Sequence, residues 1–141
     1  MKPASLPVLL VEDNEGYSYL TKRLLQLVNA TLDVHIARDG EAALAFVGER
    51  LPRLVLLDLE IPTLSGLKLL QVLKEDARTA RVPVIVLSAH GEDPQVWSAY
   101  QQFANAFVVK PDDPEALHAA LSALNDFWFK HVLLPPAQGA S

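Results

Sequence analysis

Arg53-Leu54-Val55-Leu56-Leu57-Asp58-Leu59-Glu60-Ile61-Pro62 is the stretch whose reading decides the fold. A short run of Leu and Val bounded by polar residues and proline reads as a strand buried on both faces, as in a parallel sheet covered by helices. The run ends on a carboxylate, and Pro62 and Gly66 then mark a turn ahead of a helical pattern. An ionised Asp58 is costly in so apolar a setting unless its charge is used there.

Three further apolar runs end on reactive side chains. Leu6 to Val11 leads into Glu12-Asp13-Asn14, Val82 to Leu87 into Ser88, and Phe107 to Val109 into Lys110-Pro111. Asp33 to Ala37 alternates more, carries His35, and suits an edge strand. Helical patterns separate these runs. Asp13 or Asn14 can cap the first helix, whose inward positions are Tyr17, Leu20, Leu24, Leu27 and Val28. Asp39-Gly40-Glu41 opens the second. The third, Leu67 to Asp76, turns Leu67, Leu70 and Leu73 inward. Asp93 as cap and Pro94 at the first helical position start the fourth, with Val96, Tyr100 and Phe103 in the core and Trp97 exposed. Asp113-Pro114-Glu115 starts the last, which carries Leu117, Leu121, Leu124 and Trp128. Five βα units predict a flavodoxin-like (βα)5 doubly wound parallel sheet, strand order 2-1-3-4-5, with right-handed crossovers.

The 141 residues suit one domain over 5–126 and an extension over 127–141, ending in a disordered tail. A net charge of −5 argues against nucleic acid, which needs a basic face. The absence of cysteine excludes disulfide and thiolate chemistry. No signal-peptide pattern and no membrane-length run is present, so the expectation is a cytoplasmic protein without a membrane partner.

Ligands of such sheets bind beyond the carboxyl ends of the strands, so Glu12, Asp13, Asp58, Ser88 and Lys110 would share one mouth. Three carboxylates there repel unless a cation joins them, and hard oxygen donors suit Mg²⁺. A carboxylate at a metal can attack phosphorus and form an aspartyl phosphate. The phosphoryl oxygens then need positive charge and donors, which Mg²⁺, Lys110 and Ser88 could supply.

Val-Glu12-Asp13-Asn, Leu-Leu-Asp58-Leu-Glu-Ile-Pro, Val-Leu-Ser88-Ala and Val-Val-Lys110-Pro111 together resemble the receiver domains of two-component response regulators. The resemblance covers roughly Leu6 to Asp126, and four motifs in the right order make it specific. It implies that Asp58 accepts phosphate from a sensor histidine kinase. It also implies that Asp13 binds Mg²⁺ directly, Glu12 mainly through water, and the Glu60 backbone carbonyl completes the set. Ser88 and Lys110 would bind phosphoryl oxygens, a cis peptide would join Lys110 to Pro111, and Ser88 with Phe107 would form a switch. Glu60 and His90, two residues beyond Asp58 and Ser88, would tune phosphoryl lifetime. Ser88 stands where Thr is more frequent, and Asn105-Ala106 replaces the usual Gly-Ala.

The tail, Asn125-Asp126-Phe127-Trp128-Phe129 followed by Val132-Leu133-Leu134-Pro135-Pro136, resembles the extension of stand-alone receivers that partner phytochrome-type histidine kinases. With no output domain following, the expected output is protein contact or phosphorelay to a downstream partner. Phe127, Trp128, Phe129, Leu133 and Leu134 are expected in a homodimer interface, since exposed apolar area of this kind marks a contact. The same aromatics could instead fold back on their own domain.

Two other functions compete. Asp58-Leu59-Glu60 also fits the Asp-x-acid spacing of haloacid-dehalogenase-like phosphatases, although those carry it on the first strand rather than the third. A receiver-like binding module without phosphotransfer is the other. A dinucleotide site fits less well, because no glycine-rich turn follows the first strand.

Overall fold

In the computed structural model, residues 5–89 and 91–131 are described. His90, Leu133 and Leu134, each assigned a role above, lie outside them. Five parallel strands, β1 (Leu6–Val11), β2 (Leu32–Ala37), β3 (Leu54–Leu57), β4 (Val84–Ser88) and β5 (Ala106–Val109), form one sheet ordered β2-β1-β3-β4-β5. The helices between and after them are α1 (Glu15–Val28), α2 (Gly40–Glu49), α3 (Gly66–Glu75), α4 (Asp93–Gln101) and α5 (Pro114–Asn125). A π-helical stretch, Asp126–His131, continues α5. Among the described residues no helix is long and apolar enough to cross a membrane.

The strand alternation that places successive side chains on opposite faces builds two cores. Leu9, Val11, Val55, Leu57, Val84 and Val86 meet Ala43 and Val47 of α2, Leu69, Leu70 and Leu73 of α3, and Ala99 of α4. Val8, Leu10, Leu54, Leu56 and Ile85 meet Leu25 of α1 with Leu117 and Leu121 of α5. Both faces of β3 are therefore covered, as its uninterrupted Leu/Val run requires.

The helix starts follow their capping chemistry: side chains of Asn14, Asp39, Ser65 and Asp113 accept from Tyr17, Ala42, Lys68 and Ala116 N–H groups. At α4 the expectation fails. Asp93 is already helical and Glu92 takes the cap position without a side-chain bond, because Pro94 fits the first turn one residue later than a cap at Asp93 would put it.

Three helices turn other faces inward than their apolar spacing predicts. On α1, Leu25 with Ser18 and Thr21 is buried, whereas Leu27 is 69% exposed. On α3, Leu69 joins Leu70 and Leu73 in the core and Leu67 lies only half-buried. On α4, Ala99 fills the inward position, Trp97 is exposed, and Tyr100 and Phe103 are exposed as well. Phe103 has left the helix and takes a left-handed backbone with φ 68°, which turns its ring outward.

Candidate functional site

Strand register gathers the singled-out side chains. Val11 pairs with Leu57, and the Asp58 N–H donates to the Val11 carbonyl at 3.0 Å, so Glu12 and Asp58 emerge side by side. Ser88 pairs with Val109, and the Lys110 N–H donates to the Ser88 carbonyl at 2.8 Å. Beyond Asp58 the chain turns tightly. The Gly66 N–H donates to the Leu59 carbonyl at 3.2 Å, and a Cβ on Gly66 would stand 2.7 Å from that oxygen. Only glycine lets α3 start this close to the Asp58 loop.

Oxygen atoms of Glu12, Asp13 and Asp58 lie within 4.8 Å of one another. Glu12 and Asp58 are buried and Asp13 is exposed. The Lys110 ammonium bonds Asp58 Oδ2 at 2.9 Å and forms a second, close ion pair with Glu12 Oε1. The other Asp58 oxygen accepts from the Glu60 backbone N–H at 3.0 Å. Glu12 also accepts from the Asn14 N–H at 3.2 Å. Three carboxylates around one ammonium leave two negative charges uncompensated, and the donors are hard oxygens alone. That charge and that donor set fit a hard divalent cation.

The electrostatics carry the same signature. Burial raises the Glu12 carboxyl above its ordinary value, Lys110 opposes the rise, and neighbouring Asp58 adds to it. Burial presses on the Lys110 ammonium, but bonds to Glu12 and Asp58 outweigh it and hold its pKa above the ordinary lysine value. Ser88 Oγ is completely buried and makes no hydrogen bond. A buried hydroxyl without a partner costs about 1–3 kcal/mol, a cost retained where a ligand supplies the partner.

The remaining expectations divide. The Glu60 side chain is exposed and Phe107 is half-buried against the α2–α4 core. The Lys110–Pro111 peptide is trans, against the expected cis form: among the described residues there is no cis bond, and trans is the intrinsic preference of X–Pro by about 0.5–1 kcal/mol. Of the extension, Phe127 is 54% exposed, while Trp128 and Phe129 pack partly buried against the α1–α5 core of their own domain.

Sequence reasoning missed two residues. Tyr17 packs half-buried against the α1–α5 core as its spacing predicts, and in addition Lys110 Nζ stands 4.5 Å from its ring centroid. Lys74 was not singled out, although its ammonium is bonded to three acceptors. Sequence carries no signal for either, since Lys110 lies far along the chain from Tyr17, and Asn105 31 residues from Lys74.

Comparison with known proteins agrees with this geometry. The family described as the response regulator receiver domain matches residues 8–122. Response regulator Rcp1 of Synechocystis sp. is 31% identical over 137 residues, spanning 92% of this chain and 93% of Rcp1. The crystal structure of the phosphorylated cyanobacterial phytochrome response regulator RcpA is similar with a TM-score of 0.89 at 28% identity, covering 94% of this chain and 100% of that one. The Mn²⁺-bound form of Rcp1 gives a TM-score of 0.81 at 30% identity, over 93% and 99% of the two chains.

Proposed function

The chain belongs to the response regulator receiver domain family, and we propose that Asp58 is its phosphoacceptor, loaded from a sensor histidine kinase with Mg²⁺ in the acidic mouth. Asp13, Asp58 and the Glu60 carbonyl would hold the ion, with Glu12 acting mainly through water. When bound, Mg²⁺ neutralises the carboxylates and draws charge from the phosphoryl oxygens.

The protein's own groups do the rest. An Asp58 oxygen forms the new P–O bond as the donor's P–N bond breaks, and the electron pair leaves with the imidazole, which is protonated as it departs. The Lys110 ammonium turns from carboxylate to phosphoryl oxygen, and the Ser88 hydroxyl donates to another, gaining the partner it lacks. Drawing Ser88 inward would let Phe107 move toward the sheet, biasing a two-state surface around α4, β5 and α5. Glu60 and His90 would set how readily water reaches phosphorus.

The observation that carries this reading is Lys110 bridging two buried carboxylates beside a hydroxyl with no bond of its own. The phosphatase alternative has less support, because Glu60 meets Asp58 through its backbone N–H and its carboxylate is on an exposed side chain. Likeness to RcpA, a phytochrome response regulator, favours a phytochrome-type kinase as the donor; a cytoplasmic setting and output by protein contact or phosphorelay belong to the same proposal. Self-association through Phe127 and its neighbours is part of the same proposal.

Labelling with acetyl phosphate and Mg²⁺ tests the site. The expected result is an acid-stable, hydroxylamine-sensitive phosphate on Asp58 that disappears in Asp58→Asn and without divalent metal. Undiminished label in Asp58→Asn refutes the assignment.

A further inference from the structure

Tyr17 borders the strand-end cluster without belonging to its charge balance. It stands in the first turn of α1, four residues beyond Asp13. Its backbone N–H donates to the capping Asn14 side chain at 2.8 Å, and its carbonyl accepts from Thr21 Oγ1 at 2.8 Å. Its hydroxyl reaches across to donate to the Pro111 carbonyl at 3.4 Å. The ring is thus tied at its root by α1 and at its tip by the segment after β5. Lys110 Nζ lies over that ring, 4.5 Å from the centroid.

A lysine ammonium is a compact charge on a flexible four-carbon stem, and the stem alone does not fix where the charge rests. Carboxylates fix it only while they remain its partners. A cation entering among Glu12, Asp13 and Asp58 competes for the same oxygens and loosens that hold. The face of an aromatic ring attracts the ammonium without favouring any hydrogen-bond direction. The side chain of Lys110 is only 13% exposed, which strengthens the attraction relative to an open surface.

We propose that Tyr17 is a positioning residue for Lys110. Its ring keeps the ammonium over the mouth while the ammonium's hydrogen bonds pass from Glu12 and Asp58 to the phosphoryl oxygens. The Tyr17 hydroxyl, bonded to Pro111, holds the ring in place rather than acting on the phosphate. This rests on Asp58 being the phosphoacceptor.

Beryllofluoride, a phosphoryl mimic, is titrated at saturating Mg²⁺ into the wild type, Tyr17→Phe and Tyr17→Leu, with each substitution repeated in Lys110→Ala. Tyr17→Phe should bind within about threefold of wild type, and Tyr17→Leu about tenfold more weakly. Mg²⁺ affinity measured without beryllofluoride should stay within about twofold in both, since the Tyr17 hydroxyl is bonded to the Pro111 carbonyl and not to the carboxylates. In Lys110→Ala the leucine substitution should add nothing. By NMR, the Lys110 ε-methylene protons, shifted upfield by the ring, should lose that shift in Tyr17→Leu and keep it in Tyr17→Phe. Wild-type beryllofluoride affinity in Tyr17→Leu, parallel loss of Mg²⁺ and beryllofluoride binding, or an undiminished loss in the Lys110→Ala background would each overturn the proposal. Absence of beryllofluoride binding by the wild type would instead remove the phosphoacceptor reading, and the role of Tyr17 with it.

Discussion

Lys110 and Lys74 occupy opposite ends of the sheet and use the same ammonium in different ways. Lys110, past the carboxyl end of β5, bonds two carboxylates, and those bonds hold its pKa up despite burial. Lys74, in the last turn of α3, donates to the carbonyls of Ala80 and Val82 and to Asn105 Oδ1 at 3.2, 2.8 and 3.0 Å. Those acceptors are neutral, and burial pushes its pKa down to about 8. Three N–H groups meet three acceptors ahead of β4 and β5, so the clasp is complete and offers nothing to a ligand. The bonds of Lys110 go to charges that a cation and a phosphoryl group can redistribute. One end of the sheet is fixed; the other is poised for exchange.

Removing each lysine should separate these roles. Lys110→Ala carries the largest effect: acetyl-phosphate labelling falls by roughly 10²–10³-fold, the scale of losing one charged transition-state donor. Without metal the same variant should lose about 3 kcal/mol of stability, because Glu12 and Asp58 are left facing one another. Mg²⁺ should then raise its melting temperature more than that of the wild type, and an equal rise in both would break the contrast. Lys74→Met comes next. It should lower the urea-unfolding free energy by about 1–3 kcal/mol by leaving buried acceptors unpaired, while labelling at temperatures well below unfolding stays at the wild-type rate. A labelling defect there would mean the two ends are coupled.

The smallest effect is a pH slope. Unfolding returns Lys74 to its ordinary value of 10.5 from about 8 in the fold. Between those values the unfolded chain binds more protons, so the contribution of Lys74 to stability rises with pH across that window and is flat below it. The difference in unfolding free energy between wild type and Lys74→Met should therefore widen between about pH 8 and 10.5. A constant difference would place the ammonium in a better-solvated setting.

The mouth was legible because polar residues ended apolar runs. Asp58, Ser88 and Lys110 each follow an uninterrupted strand, and sheet topology alone brings such ends together. What was not legible depended on partners remote in sequence. Tyr17 has the spacing of a core position on α1, and its contact with Lys110 exists only once β5 lies beside β4. Lys74 resembles any helix-end lysine until Asn105, 31 residues away, folds beneath it. The structure gives Asn105 a task that glycine could not perform. Its side chain accepts from Lys74 and from the Val84 N–H at 2.9 Å, stitching α3 to the starts of β4 and β5. On α4, Tyr100 and Phe103 looked like core by size and spacing, but Ala99 fills the tight approach to the sheet and the chain reverses at Phe103. Apolar size proved a weaker guide there than backbone geometry.

A crystal structure of the protein with Mg²⁺ and beryllofluoride would test the exchange at Lys110 most directly. The account predicts beryllofluoride on Asp58, the Lys110 ammonium bonded to fluoride and released from Glu12 while still over the Tyr17 ring, and Ser88 Oγ bonded to a second fluoride. Lys110 still bridging Glu12 and Asp58, with Ser88 Oγ unbonded and beryllofluoride absent from the mouth at saturating concentration, would contradict it.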